Sequence, residues 1–395
     1  MQLILLLFCF IVSCYCAVEF SDRPRNFSIE LLHYTQLETD GHVVISPFGI
    51  WTLMAGVALG ATGNSYKQLA HTFLLPRDRN ALVKGYRDLT STVLNPTTQG
   101  VTLLSTNFVF LDDSFKIFPE FNRILQIDFK ATIDVLDFQN PNSAEKANSK
   151  IQRITGNIKN VLRANDFAES RMILVNVISF KGSWAMPFNK SNTKEELFYD
   201  EANKPIGRVN MMSQKSALAF SNIREMKCFA LELPYGNDKK YSMLFLLPYR
   251  GVKINEAYQN FANVTFKDIF EQLEYDVEKF GDEEIDVKIP RFHITTNVVL
   301  NKPLNDMGVF DIFEPDRARF DKITNEDIFI SGIVHKADIE VTEVGTVASA
   351  STEAYLINKI SPPSFYANRP FMYFLMEKTT MTMLFGGIYS KPTLF

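Results

Sequence analysis

Cysteine, histidine and tryptophan are scarce in this chain, at four, five and two among 395 residues. The histidines, His33, His42, His71, His293 and His335, fall in no His-Glu-x-x-His or comparable spacing, and no Cys-x-x-Cys pair occurs. Zinc hydrolase and zinc-ribbon readings therefore drop out, and no metal or cofactor is expected. Charge of one sign is missing too: 41 basic against 45 acidic residues leave a formal net charge of -4. A dedicated binder of nucleic acid or anionic membrane would show a strong basic excess. Arg77, Arg79, Lys84 and Arg87 cluster along one early helix and read as a solvated face rather than a polyanion site. The chain also lacks a Gly-x-Ser-x-Gly elbow and a phosphate loop, because the glycines from Gly56 to Gly63 are not followed by Gly-Lys-Ser/Thr. Between Ile333, Val334 and Ala337, His335 reads as a buried, hydrogen-bonded histidine in preference to a hydrolase base. No enzyme is expected.

What is present is an ordinary core-forming composition, 46% hydrophobic and 22% charged. Residues 1–16, MQLILLLFCFIVSCYC, carry an apolar run from Leu3 to Val12 and then small and polar residues, which reads as a secretory signal cleaved after Cys16 and predicts a secreted, extracellular protein. The alternative is an uncleaved anchor, since no Lys or Arg precedes the apolar run. No later stretch reaches eighteen consecutive apolar residues, so no other membrane span is expected. Loss of Cys9, Cys14 and Cys16 would leave Cys228 alone, without an internal disulfide. Asn26, Asn189 and Asn263 each begin an Asn-x-Ser/Thr glycosylation pattern. From Ala17 to Phe395 no linker, repeat or low-complexity stretch divides the chain, so residues 17–395 read as one domain.

Ser46 and Pro47 before the apolar run Phe48 to Leu59, with Gly60 after it, predict a buried helix with a serine cap. Ile285, Val287 and Ile289 alternate with polar residues as a strand does. Leu231–Pro234 with Met243–Leu247, and Phe371–Met376 with Met383–Tyr389, read as antiparallel pairs. Helices early and strands late give an α+β fold with a large, mainly antiparallel sheet.

One segment reads differently. From Gly345 to Thr352 the residues Thr346, Val347, Ala348, Ser349, Ala350 and Ser351 are small, and Pro362-Pro363 stops the stretch. At a two-residue period Thr346, Ala348, Ala350 and Thr352 share one face, narrow enough to slide into a packed sheet. Composition alone favours a flexible loop over an insertable strand. Glu343-x-Gly345-Thr346 followed by Ala348-Ser349-Ala350-Ser351-Thr352 resembles the hinge of the inhibitory serpins. Val44-Ile45-Ser46-Pro47, Leu174-Val175-Asn176 with Phe180-Lys181-Gly182-x-Trp184, Val334-His335-Lys336-Ala337 and Ala367-Asn368-Arg369-Pro370-Phe371 extend the match along the chain.

The resemblance implies a three-sheet, multi-helix serpin fold with an exposed reactive loop at about 343–363, and a suicide inhibitor of serine proteases that acts as a monomer. Family spacing puts the scissile bond at Lys359-Ile360. Lys359 is also the only basic residue between Lys336 and Arg369, which suits a trypsin-like partner; a cut at Tyr355 or Leu356 would suit a chymotrypsin- or elastase-like one. By the same resemblance Glu343 and Gly345 to Thr352 form the hinge, Ser46, Asn176 and His335 a polar shutter beneath the sheet opening, and Trp184 the breach above it. A glycosaminoglycan stands as an optional further partner. Gly49 replaces a serine common in the family, a change expected to loosen the opening or leave room for water, and Val347 replaces a frequent hinge glutamate, with little effect expected. The runner-up is a non-inhibitory serpin that carries, chaperones or stores.

Overall fold

The Ser46 hydroxyl accepts from the Gly49 main-chain N–H at 3.1 Å and Pro47 opens the first turn, so α2 (Pro47–Ala58) starts where the sequence sets it. Every residue of α2 is buried. Gly60 ends the helix for a reason other than a left-handed turn: a Cβ there would lie 2.4 Å from Ile323 Cγ1, so close packing requires it. The computed structural model describes residues 23–39, 41–94, 99–156, 158–168, 170–281, 284–344 and 363–395.

Around α2 lie α1 (Arg23–Leu37), α3 (Gly63–Thr72), α4 (Arg79–Val93) and the short α5 (Pro119–Arg123). Further along the chain come α6 (Ser143–Thr155), α7 (Ile254–Gln259), α8 (Phe266–Phe280) and α9 (Asn301–Asp306). Thr265 and Asp268 cap α8 reciprocally, the Asp268 N–H donating to Thr265 Oγ1 at 3.2 Å and the Thr265 N–H to Asp268 Oδ2 at 2.8 Å. No helix among the described residues is long and apolar enough to cross a membrane.

Three sheets carry the fold. The central one orders β11 (Phe292–Val299), β12 (Ile330–Val341), β4 (Met172–Gly182), β2 (Val101–Asp112) and β3 (Thr132–Leu136). A six-stranded sheet orders β1 (Val43–Ile45), β15 (Thr382–Tyr389), β14 (Phe371–Glu377), β9 (Tyr241–Pro248), β8 (Cys228–Tyr235) and β7 (Phe220–Ile223). The third orders β13 (Ser364–Tyr366), β10 (Glu284–Pro290), β6 (Pro205–Ala217) and β5 (Lys194–Tyr199). The β8–β9 and β14–β15 pairs match the hairpin reading, and Ile285, Val287 and Ile289 are buried on β10 as their alternation predicts.

Successive residues of β4 serve opposite faces of the central sheet. Ile173, Val175 and Val177 pack with Ala147 and Ile151 of α6, while Leu174 and Ile178 join the main core. Asn176 therefore points its side chain into apolar surroundings on the main-core side. Cys228 is buried and free, and burial pushes its thiol up to about 12, which keeps it protonated and inert.

Candidate functional site

β12 and β4 run parallel, in register from Ile330 opposite Met172 to Ile339 opposite Phe180, with a shift near Gly332. Antiparallel pairs flank this seam on both sides, β11 with β12 and β4 with β2. A segment that left the end of β12 and turned back would run antiparallel to both seam strands. The chain leaves β12 at that point: Phe188 N–H donates to the Glu343 carbonyl at 2.7 Å and Trp184 N–H to the Val344 carbonyl at 3.4 Å. It is described again at Pro363, whose carbonyl accepts from Asp286 N–H of β10 at 3.0 Å. Val344, just past β12, and Pro363, bonded to β10, thus flank residues 345–362.

A row of polar side chains crosses the seam. Asn107 of β2 stands opposite Asn176 of β4, and Asn176 opposite His335 of β12. Asn176 Nδ2 donates to Asn107 Oδ1 at 2.7 Å, Asn107 Nδ2 to Thr52 Oγ1 at 3.2 Å, and Thr52 Oγ1 to the Gly49 carbonyl at 2.7 Å. His335 Nε2 accepts the Ser46 N–H at 2.9 Å, so its neutral form carries the proton on Nδ1. Burial lowers the His335 pKa from 6.5 to about 3, against a smaller upward influence from a main-chain hydrogen bond to Asn176. Ser46, Asn176 and His335 are therefore brought together around the start of α2, and all three are fully buried. Asn176 Oδ1 has no hydrogen-bond partner among the described residues.

Gly49 does not leave the open space the sequence suggested. A Cβ built on it would lie 2.3 Å from Asn176 Oδ1, because the asparagine amide occupies the volume.

Trp184 closes the top of the seam. Its ring stacks on Tyr235 with centroids 4.1 Å apart, and its Nε1 donates to the Thr342 carbonyl at 2.7 Å. Glu343, at 2% exposure, accepts from Thr193 Oγ1 at 2.7 Å, and Arg291 Nη1 lies 3.6 Å away. Arg291 Nε also donates to the Phe395 main-chain oxygen at 2.6 Å, shared with Asn210 Nδ2 at 2.9 Å, and the Arg291 guanidinium lies over the Phe395 ring. One arginine therefore ties the end of β12 to the last residue of the sequence.

Thr52, Asn107, Arg291 and Phe395 were not legible as site residues beforehand. Asn107 gave a faint signal, as an amide just before the apolar run Phe108–Leu111 of a strand. The hinge residues Gly345, Thr346, Val347, Ala348, Ser349, Ala350, Ser351 and Thr352, the bond Lys359-Ile360, and residues 1–16 lie outside the described residues. Asn189 and Asn263 are exposed, and Asn189 Oδ1 accepts from both the N–H and the hydroxyl of Ser191, at 2.9 and 2.8 Å. Asn26 lies on α1.

Three sheets and a buried polar row under a parallel seam are the arrangement of a serpin fold. The family model for serpins, serine protease inhibitors, matches residues 22–392. Leukocyte elastase inhibitor of Xenopus tropicalis is 30% identical over 384 residues, covering 94% of this chain and 99% of that protein. The structure of native protease nexin-1 with heparin is similar with a TM-score of 0.81 and 26% identity, covering 94% of this chain and 99% of that one. Human thyroxine-binding globulin with thyroxine shares the fold, with a TM-score of 0.80 at 23% identity and coverage of 95% and 99%. The chain belongs to the serpin family.

Proposed function

We propose that this serpin is a secreted suicide inhibitor of trypsin-like serine proteases, cleaved at Lys359-Ile360. The observation that carries the reading is the parallel β4–β12 seam with the chain leaving β12 at its upper end. The protease serine oxygen attacks the Lys359 carbonyl carbon, the Lys359-Ile360 bond breaks, and the proton passes to the new Ile360 amine. Lys359 is then held as an ester on the protease. Cleavage also severs the tether to β13, freeing the segment that begins at Gly345 to enter the seam antiparallel to β4 and β12. From Gly345 to Lys359 the extended chain spans roughly 46 Å at about 3.3 Å per residue, comparable to a domain. A dozen new hydrogen bonds at about 1 kcal/mol net each supply on the order of 10 kcal/mol, enough to distort the attached protease before water reaches the ester.

Within this reading Asn176, His335 and Ser46 hold the closed seam and must part and re-form as a strand enters. Trp184 and Glu343 fix where the entering strand starts. Lys359, as the only basic residue of its stretch, selects a protease with an acidic specificity pocket. Glycosylation at Asn26, Asn189 and Asn263 would accompany secretion, and a polyanion such as the heparin on protease nexin-1 stands as an optional further partner.

Incubation with trypsin tests the proposal. An adduct that survives boiling in detergent, with release of a peptide beginning at Ile360, is expected. A nicked chain beside fully active trypsin would favour the carrier, chaperone or storage reading.

A further inference from the structure

A groove of about 900 Å³ opens at the end of the six-stranded sheet where β15 finishes and β14 begins. Three further pieces of chain wall it: the end of α1, the turn between β5 and β6, and the turn from β9 into α7. Its volume falls in the upper part of the roughly 300–1,000 Å³ range of small-molecule sites. The walls are fixed without a ligand. Ile254 N–H at the start of α7 donates to Glu201 Oε1 of the β5–β6 turn at 2.8 Å, and Ser390 Oγ donates to the Gly41 carbonyl beyond α1 at 3.0 Å.

The apolar part of the lining is aliphatic. Ile254, Ile388 and Pro370 are buried at its floor, while Leu37 of α1 and Ile206 of β6 stand above them at 61% and 42% exposure. A single exposed aliphatic side chain is ordinary on a protein surface. Two of them, on separate elements over one apolar floor, make a surface that water covers at a cost. No aromatic side chain lines the groove, so nothing there stacks on a flat ring, and an extended hydrocarbon chain is the better fit.

The polar part of the lining carries both signs of charge. Lys253 is exposed and pairs with no acid among the described residues, and Lys391 lines the same groove. Asp200 Oδ1 accepts the N–H groups of Ala202 and Lys204 at 2.9 and 2.8 Å, and Glu201 Oε1 takes that of Ile254. The second oxygen of each carboxylate has no hydrogen bond among the described residues. Two cations and two anions beside an aliphatic floor complement a headgroup that itself carries both charges. We propose that this groove binds a single-chain aliphatic amphiphile with a zwitterionic headgroup, of the lysophosphatidylcholine type. The hydrocarbon chain lies along Leu37, Ile206 and Ile388, the phosphate meets Lys253, and the quaternary ammonium meets Asp200 and Glu201.

The test titrates dodecylphosphocholine, kept below its micelle-forming concentration, into the full chain and reads the heat by calorimetry. Saturation with a Kd below about 100 μM is expected. Dodecanoate, an anion with a similar chain, should bind about fivefold more weakly, and phosphocholine without the chain should not saturate at about 10 mM. Ile206→Asp should weaken dodecylphosphocholine about tenfold and Lys253→Glu about fivefold, both changes being at exposed positions. Val135→Asp, at a 54% exposed position of β3 outside the groove, should leave binding unchanged. Absence of saturation, equal binding by the native and Ile206→Asp chains, or an equal loss in Val135→Asp overturns the site. Dodecanoate binding as tightly as dodecylphosphocholine overturns the zwitterionic class. Ile206→Asp should not alter the fraction of protein that sediments with phosphatidylcholine vesicles; a fall in that fraction would make the patch a membrane contact and overturn the proposal. No arm contains a protease, so the groove and the trapping of trypsin are decided separately.

Discussion

The six-stranded sheet and the central sheet are built on opposite plans. β9, β14 and β15 are buried at every position, with apolar side chains throughout except near their ends. The central sheet threads Asn107, Asn176 and His335 across its middle. Apolar packing has no partners to exchange, so the first sheet is permanent. Under the proposed inhibitory mechanism, a polar row releases one set of hydrogen bonds and makes another as a strand enters, at a net cost of about 1 kcal/mol per bond in between. One sheet is the frame and the other holds a joint.

The contrast breaks hardest in the frame. Phe245→Ala, at a fully buried position of β9, should cost about 3–5 kcal/mol in urea unfolding. Acid should act at the joint. His335 titrates near 3 when folded against 6.5 when free, so the unfolded chain takes up a proton first, and stability present at neutral pH is lost as pH falls below about 6.5. Between pH 7 and pH 5 this group alone should remove about 2 kcal/mol, and His335→Gln should flatten that part of the profile. Protonation also removes the lone pair that accepts the Ser46 N–H, so seam amides should lose exchange protection before those of β9 and β14.

Gly49→Ala sharpens the comparison at one atom. The added methyl must displace the Asn176 amide, costing about 1–2 kcal/mol and disturbing its bond to Asn107, read by urea unfolding and seam exchange. The smallest effect is expected at the top of the seam. Removal of Phe395 takes away one acceptor and one ring from Arg291, for less than about 1 kcal/mol of global stability, and should raise exchange at 341–344 selectively.

The parts that sequence conveyed were those with a local signature. Ser46-Pro47 before an apolar run fixes a cap and a buried helix, and alternation fixes β10. The shutter trio was read through family resemblance, and its members do meet. Asn107 escaped because its role comes from register: nothing near residue 107 indicates that it will stand beside residue 176. The Arg291 contacts escaped for a similar reason, since they join residues 291, 343 and 395 only after two sheets have formed. Gly49 was misjudged because a missing hydroxyl suggests a gap, whereas a flexible neighbouring amide can fill it.

Thermal unfolding of the intact chain and of the chain nicked between Gly345 and Pro363 tests the re-openable joint most directly. Entry of the freed segment into the β4–β12 seam should raise the midpoint by about 20 °C, given on the order of 10 kcal/mol of new pairing. A midpoint that nicking leaves unchanged would contradict it.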